Sequence, residues 1–277
     1  MSGNIINAPE SKKLSELRQL AEHFNSCIAL LKSRFAIFES MNNQELITLQ
    51  QENDTEHVYI TIRNALLLTC ILDIGNLAND KNDRSLSLIN IKKYLDDTKI
   101  QIELQELRAK VPEISFGGDV PPKEYIDNYY VEQSKNRIEH YKKNLQNLFD
   151  KLGDQNIKSK LDLFWKIRCK VAAHTDILNI NGQLEFFDTT SVDIKMGGFA
   201  LLVNYLQEIN WLLHAVIENR DLSFEFYDET LQVSIQNFWG LHNSPCATPS
   251  NAINKGDFVE DCLSAESASS ADAFVDE

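Results

Sequence analysis

Apolar residues recur along most of this chain in alternating steps of three and four, the spacing that gathers side chains on one face of an α-helix. The clearest run follows Ser11 and comprises Leu14, Leu17, Ala21, Phe24, Ile28, Leu31, Phe35 and Phe38. It predicts one helix of about 25 residues, long for a globular domain, whose stripe reads as bundle core more readily than as a dimer zipper. A second stretch, Thr55 to Leu77, has Val58, Ile62, Ala65, Thr69 and Leu72 on one face. Leu66, Leu67, Leu68, Cys70 and Ile71 make it apolar almost all round, which predicts a central, buried helix. Arg63 and Asp73 are its conspicuous charges; because buried charge needs a partner, they are either paired internally or placed where the helix surfaces, with a structural role expected for both.

The later chain continues the pattern. Asn79 to Asp83 is a polar turn, and Ser87 caps a helix through Leu88, Ile91 and Leu95. A short helix spans Thr98 to Arg108. Val111 to Pro122, with three prolines and two glycines, is a loop. Lys123 to Leu152 is a long, half-exposed helix, and Gly153 to Asn156 turns the chain into the next one. Asn181-Gly182 between Ile177–Ile180 and Leu184–Phe187 signals a β-hairpin, since both residues tolerate positive φ. After Asp188-Thr189-Thr190 the stripe Phe199, Leu202, Leu206, Ile209, Leu213, Val216 marks another strong helix. Glu229 to His242 predicts a short closing helix around Leu231, Ile235 and Phe238. The fold class is therefore all-α: a long-helix bundle over residues 1–243 with a small β-hairpin. Residues 244–277, rich in Ser, Ala, Asn and acids, are expected to be a disordered acidic tail.

Composition narrows the setting. With 277 residues, 43% of them hydrophobic, the chain can bury a sizeable core. No run is read as reaching the length of a membrane span, and the N-terminus has no apolar signal core, so no membrane partner is expected. Cys27, Cys70, Cys169, Cys246 and Cys262 are odd in number and scattered, without metal-ligand spacing. The expectation is a reduced, cytoplasmic chain with no disulfide, metal or cofactor. The net charge of −14 argues against a broad nucleic-acid-binding face. From residue 245 onward seven acids face one base, Lys255, so the tail carries much of that charge. The tail reads as a solubilising segment, or as an RNA mimic that occupies a basic pocket.

The chemistry concentrates in Arg168-Cys169-Lys170-Val171-Ala172-Ala173-His174-Thr175-Asp176, at the polar end of Leu163-Phe164-Trp165-Lys166-Ile167. Guanidinium and imidazole together can hold a phosphodiester and move a proton near neutral pH. As a bare pattern it is weak: eight arginines and six histidines give on the order of 0.5 chance matches. Arg18-x4-His23 is such a match, lying off the first apolar stripe on what reads as a solvated face. On a regular helix, residues six apart point about 120° from each other. Arg168 and His174 therefore converge only if the helix ends or distorts near Ala173, or if each faces a second copy. His140 and His214 read as core-edge residues, and Trp165 and Trp211 as packing residues.

A long helical bundle with Arg-x5-His near a helix end resembles the HEPN superfamily, in particular its AbiU-like abortive-infection branch. Arg168, Lys170, Ala173, His174 and Asp176 match a segment similar to R-N-K-x-x-A-H-x-D. The Leu72-Asp73 region, the polar turn and Ser87-Leu88 are also similar, so the likeness spans roughly residues 10–220. One position departs: Cys169, a weak hydrogen bonder, stands where a polar Asn is frequent. The resemblance implies a metal-independent endoribonuclease acting as a toxin or antiphage effector, with two motifs meeting in a homodimer and a cognate antitoxin as a further partner. It assigns catalysis to Arg168 and His174, RNA binding to Lys170, and orientation of His174 to Asp176, for which chain capping is an equal alternative. The alternatives for the whole protein are a catalytically inactive HEPN-like RNA-, nucleotide- or protein-binding module, and a helical oligomerisation scaffold.

Overall fold

The computed structural model describes residues 10–82, 85–112, 121–173, 178–180, 183–185, 196–220 and 225–239. Met1–Gly240 is one compact unit, and Leu241–Glu277, which includes the expected acidic tail, lies outside the described residues. The fold is all-α. Helices are α1 (Lys12–Ser40), α2 (Gln44–Glu52), α3 (Glu56–Asn79), α4 (Leu88–Leu95), α5 (Thr98–Ala109), α6 (Lys123–Leu152), α7 (Gln155–Ala173), α8 (Met196–Ile217) and α9 (Glu225–Trp239). Between α7 and α8, β1 (Leu178–Ile180) and β2 (Gln183–Glu185) pair antiparallel, with Leu178 opposite Glu185 and Ile180 opposite Gln183. Asn181-Gly182, the expected turn between the two strands, lies outside the described residues.

α1 is the hub, packing against α3, α8, α4 and α9. All eight residues of its apolar stripe are buried. Its start is fixed by Ser11, whose Oγ accepts the Leu14 amide at 3.2 Å. Polar ties then orient its neighbours. Arg34 pairs with Asp73 of α3, and Lys32 reaches Asp228 of α9 at 2.5 Å. Asn25 accepts from Asn210 of α8 at 2.7 Å. Burial pushes the Asp73 carboxyl above its ordinary value, and the Arg34 partner only partly offsets this. Arg18 of the decoy pair is bound to Glu10 at 2.7 Å and Glu218 at 3.5 Å, while His23 is exposed.

α3 corrects the sequence reading in two ways. Its predicted inner face is largely its outer one: Val58 is 62% and Ile62 49% exposed, whereas Tyr59, Cys70, Ile71, Ile74, Leu77 and Ala78 are buried. On a helix apolar almost all round, periodicity cannot choose a face, and neighbouring helices decide it. By length and mean hydropathy (1.5 over 18 residues) α3 is also able to cross a membrane, contrary to the expectation that no run is that long. Here its C-terminal half packs against α1, α4 and α7.

α2 was not anticipated, because only Leu46 of its nine residues is buried; Asn43 caps it by accepting the Glu45 amide at 2.8 Å. In α9 the packing aromatic is Trp239 rather than Phe238, which is 77% exposed. Trp239 meets the Tyr59 ring edge-on and donates to Ser40 Oγ at 3.0 Å. Trp211 is exposed. His214 is fully buried, not at the core edge.

That burial holds the His214 pKa below the usual 6.5, against the pull of Glu22 and Glu218. The unfolded chain therefore takes up a proton before the folded one does. We expect stability to fall as pH drops below about 6.5 toward the depressed folded pKa, by at most about 1.4 kcal/mol per pH unit. Comparing thermal melts of wild type and His214→Gln between neutral and mildly acidic pH checks this. A wild-type slope no steeper than that of the variant would refute it.

Candidate functional site

Arg168 lies in the last turns of α7, on the side that packs against α3. The approach of the two helices is set by Gly75, where a Cβ would sit 2.9 Å from Arg168 Cβ and 3.3 Å from the Phe164 carbonyl oxygen. Only a residue without a side chain admits α7 this closely. Below it, Phe164 stacks on Phe199 of α8 at 5.6 Å between ring centroids, anchoring α7 in the aromatic centre of the core.

With its stem fixed, the Arg168 guanidinium meets three groups among the described residues. Nε donates to Asn76 Oδ1 at 2.9 Å. The Trp165 ring lies under the guanidinium, 4.6 Å from carbon to centroid, a cation–π distance. Nη2 is 4.0 Å from Asp80 Oδ2, close enough for charge attraction and too far for a hydrogen bond. The side chain remains 28% exposed. Nearly two turns earlier along α7, Asp162 accepts from Asn79 of α3, so a polar seam runs along this end of the α3–α7 contact.

The turn after α3 is itself locked. Asp80 Oδ1 accepts the Asn82 amide at 3.0 Å, and the Asp80 carbonyl accepts Ser87 Oγ at 2.6 Å. Asn90 donates to the carbonyls of Asn82 and Ser85 at 2.7 and 2.9 Å. Ser87, buried at the start of α4, thus acts both as the expected cap and as a brace for the turn that carries Asp80.

Of the other residues assigned from sequence, Lys170 belongs to α7 but its side chain lies outside the described residues, as do His174 and Asp176. Cys169 is partly buried and is a free thiol. His140 is exposed, with Nε2 3.4 Å from Asn144 Nδ2. Sequence reasoning missed Gly75, Asn76, Asp80 and the specific use of Trp165. A signal existed: Asn76, Asn79 and Asp80 stand at i, i+3 and i+4 where the apolar run of α3 ends, which puts three polar groups on one helical face.

Two surface hollows, of about 370 Å³ along α2 and about 260 Å³ between α6 and the end of α8, do not include Arg168. No protein-family model, curated protein or solved structure matches this chain.

Proposed function

We propose that this protein is a HEPN-type endoribonuclease, acting as a toxin or antiphage effector, in which Arg168 stabilises phosphoryl charge and His174 moves the proton. The observation that carries the reading is the preparation of Arg168: Asn76 and Trp165 hold its guanidinium while part of it stays open to solvent, six residues ahead of His174. A planar fork fixed at one nitrogen is suited to a phosphodiester. In this reading the ribose 2′-hydroxyl attacks the adjacent phosphate, His174 accepts its proton, and Arg168 offsets charge on the phosphoryl oxygens. Lys170 holds a neighbouring phosphate and Asp176 orients His174. The reading brings with it a homodimer, for which the apolar side of α3 that stays exposed among the described residues (Val58, Ile60, Ile62) offers a surface, and a cognate antitoxin.

Incubation of purified protein with RNA in the presence of a chelator tests it. The expected products carry 2′,3′-cyclic phosphate and 5′-hydroxyl ends, because 2′-hydroxyl attack expels the 5′ oxygen. Intact RNA, or products with other ends, would remove the mechanism. A second reading, a catalytically silent HEPN-like binding module, is favoured by the charge contact of Arg168 with Asp80, which gives the arginine a structural use. It expects ligand binding to survive His174→Ala.

A further inference from the structure

The groups around Arg168 divide by charge. Asn76 and Trp165 are neutral: one takes Nε, the other covers a face of the guanidinium. Neither contact has to be broken for an anion to arrive. Asp80 is different, since its carboxylate stands where an anion would be attracted, yet at 4.0 Å it makes no hydrogen bond to Nη2. Its other oxygen and its carbonyl are held by Asn82 and Ser87, so the turn sets its position and it cannot follow the guanidinium. Both side chains stay open to solvent, 28% for Arg168 and 20% for Asp80.

We propose that Asp80 is a replaceable internal counter-ion, which Arg168 exchanges for a phosphate group of a bound polynucleotide while Asn76 and Trp165 keep the guanidinium oriented. This rests on reading Arg168 as a phosphate-holding residue and adds how that residue is regulated. A carboxylate 4.0 Å away lowers the affinity of Arg168 for every anion. A phosphodiester that offers two oxygens to the fork outcompetes it, whereas a weakly engaged anion does not. In a chain of net charge −14, that gives the arginine a resting partner and makes occupancy depend on bidentate contact. Asn76 is then a positioning residue, acting on the ligand only through Arg168.

The test is binding of a fluorescently labelled 2′-O-methyl RNA oligonucleotide, which lacks the attacking hydroxyl, followed by anisotropy. Asp80→Asn removes the charge but keeps an oxygen to accept the Asn82 amide, so the turn has no reason to open. It is expected to bind about 5- to 10-fold more tightly than wild type at low ionic strength, with the gain shrinking in high salt. Asp80→Ser, which also retains an acceptor, should move the same way and guards against an idiosyncratic loss of folding in the first variant. Asn76→Ala should weaken binding, with and without Asp80→Asn. Inorganic phosphate as competitor tells whether an isolated phosphate suffices or a polynucleotide is needed. Equal or weaker binding by both Asp80 variants overturns the proposal, as does an oligonucleotide bound by none of the proteins. Cleavage of unmodified RNA is scored separately. Wild-type cleavage with Asp80 variants unchanged in binding leaves the nuclease reading standing without the counter-ion. Tighter binding by the variants with no cleavage by any protein does the reverse.

Discussion

Arg168→Ala is expected to lower the rate of RNA cleavage by about 10²- to 10³-fold, the scale on which loss of one transition-state charge donor is felt. His174→Ala should lower it by about 10²- to 10⁴-fold, the usual contribution of a positioned acid–base group. The decisive companion is Arg168→Lys. Lysine keeps the charge, but its compact ammonium cannot donate to Asn76 Oδ1 and grip two phosphoryl oxygens together, so little of the rate should return. Single-turnover rates on a short RNA separate this from changes in affinity. Stability must be measured alongside, because Arg168→Ala also gives up the Asn76 bond, the Trp165 contact and the loose pairing with Asp80. With the side chain partly exposed, that loss amounts to about 1–2 kcal/mol. Cleavage by either alanine variant at the wild-type rate would defeat the nuclease assignment. A lower melting temperature with unaltered oligonucleotide binding would make Arg168 a structural clasp.

The largest effect on stability is expected at Phe199. Its side chain is fully buried, with ring centroids 4.9 Å from Phe35, 6.5 Å from Phe38 and 5.6 Å from Phe164. These contacts join α1, α7 and α8 at one point. Phe199→Ala should cost about 3–5 kcal/mol, from lost apolar burial and from a cavity that three packed helices cannot close. That is a large share of the about 5–15 kcal/mol that holds a typical domain folded. Urea denaturation should show a lower midpoint with an unchanged slope. A loss below about 1.5 kcal/mol would mean the space refills, and that α7 is not seated on Phe199 as described. Because Phe164 lies one turn from Arg168, a destabilised Phe199→Ala protein should also lose activity before it unfolds.

How legible these features were in the sequence depended on contrast. α1 alternates apolar and polar residues so regularly that each of its eight buried stripe residues is identifiable from spacing. The bounds of α6 follow from Pro121-Pro122 before it and Gly153 after it. α2 lacks contrast, being mostly polar, and α3 lacks it for the opposite reason. His214 looked peripheral because a histidine in an apolar run carries no mark of how deep it lies. Within the candidate site, Arg168 stands out in the sequence because guanidinium chemistry is distinctive. Asn76 and Asp80 were passed over because Asn and Asp at a helix end have an ordinary explanation as turn residues.

The sequence by itself determined the all-α class and the long helices with clear stripes, α1 and α8 above all, because these are written in local spacing. The tertiary structure alone decided which side of α3 is covered and what Arg168 touches. Both depend on Gly75 meeting a helix that starts 80 residues later in the chain. Contacts of that range have no period in the sequence. They arise from the fit of one surface on another, and here that fit turned Asn76 and Asp80, where α3 ends, into the setting of the arginine.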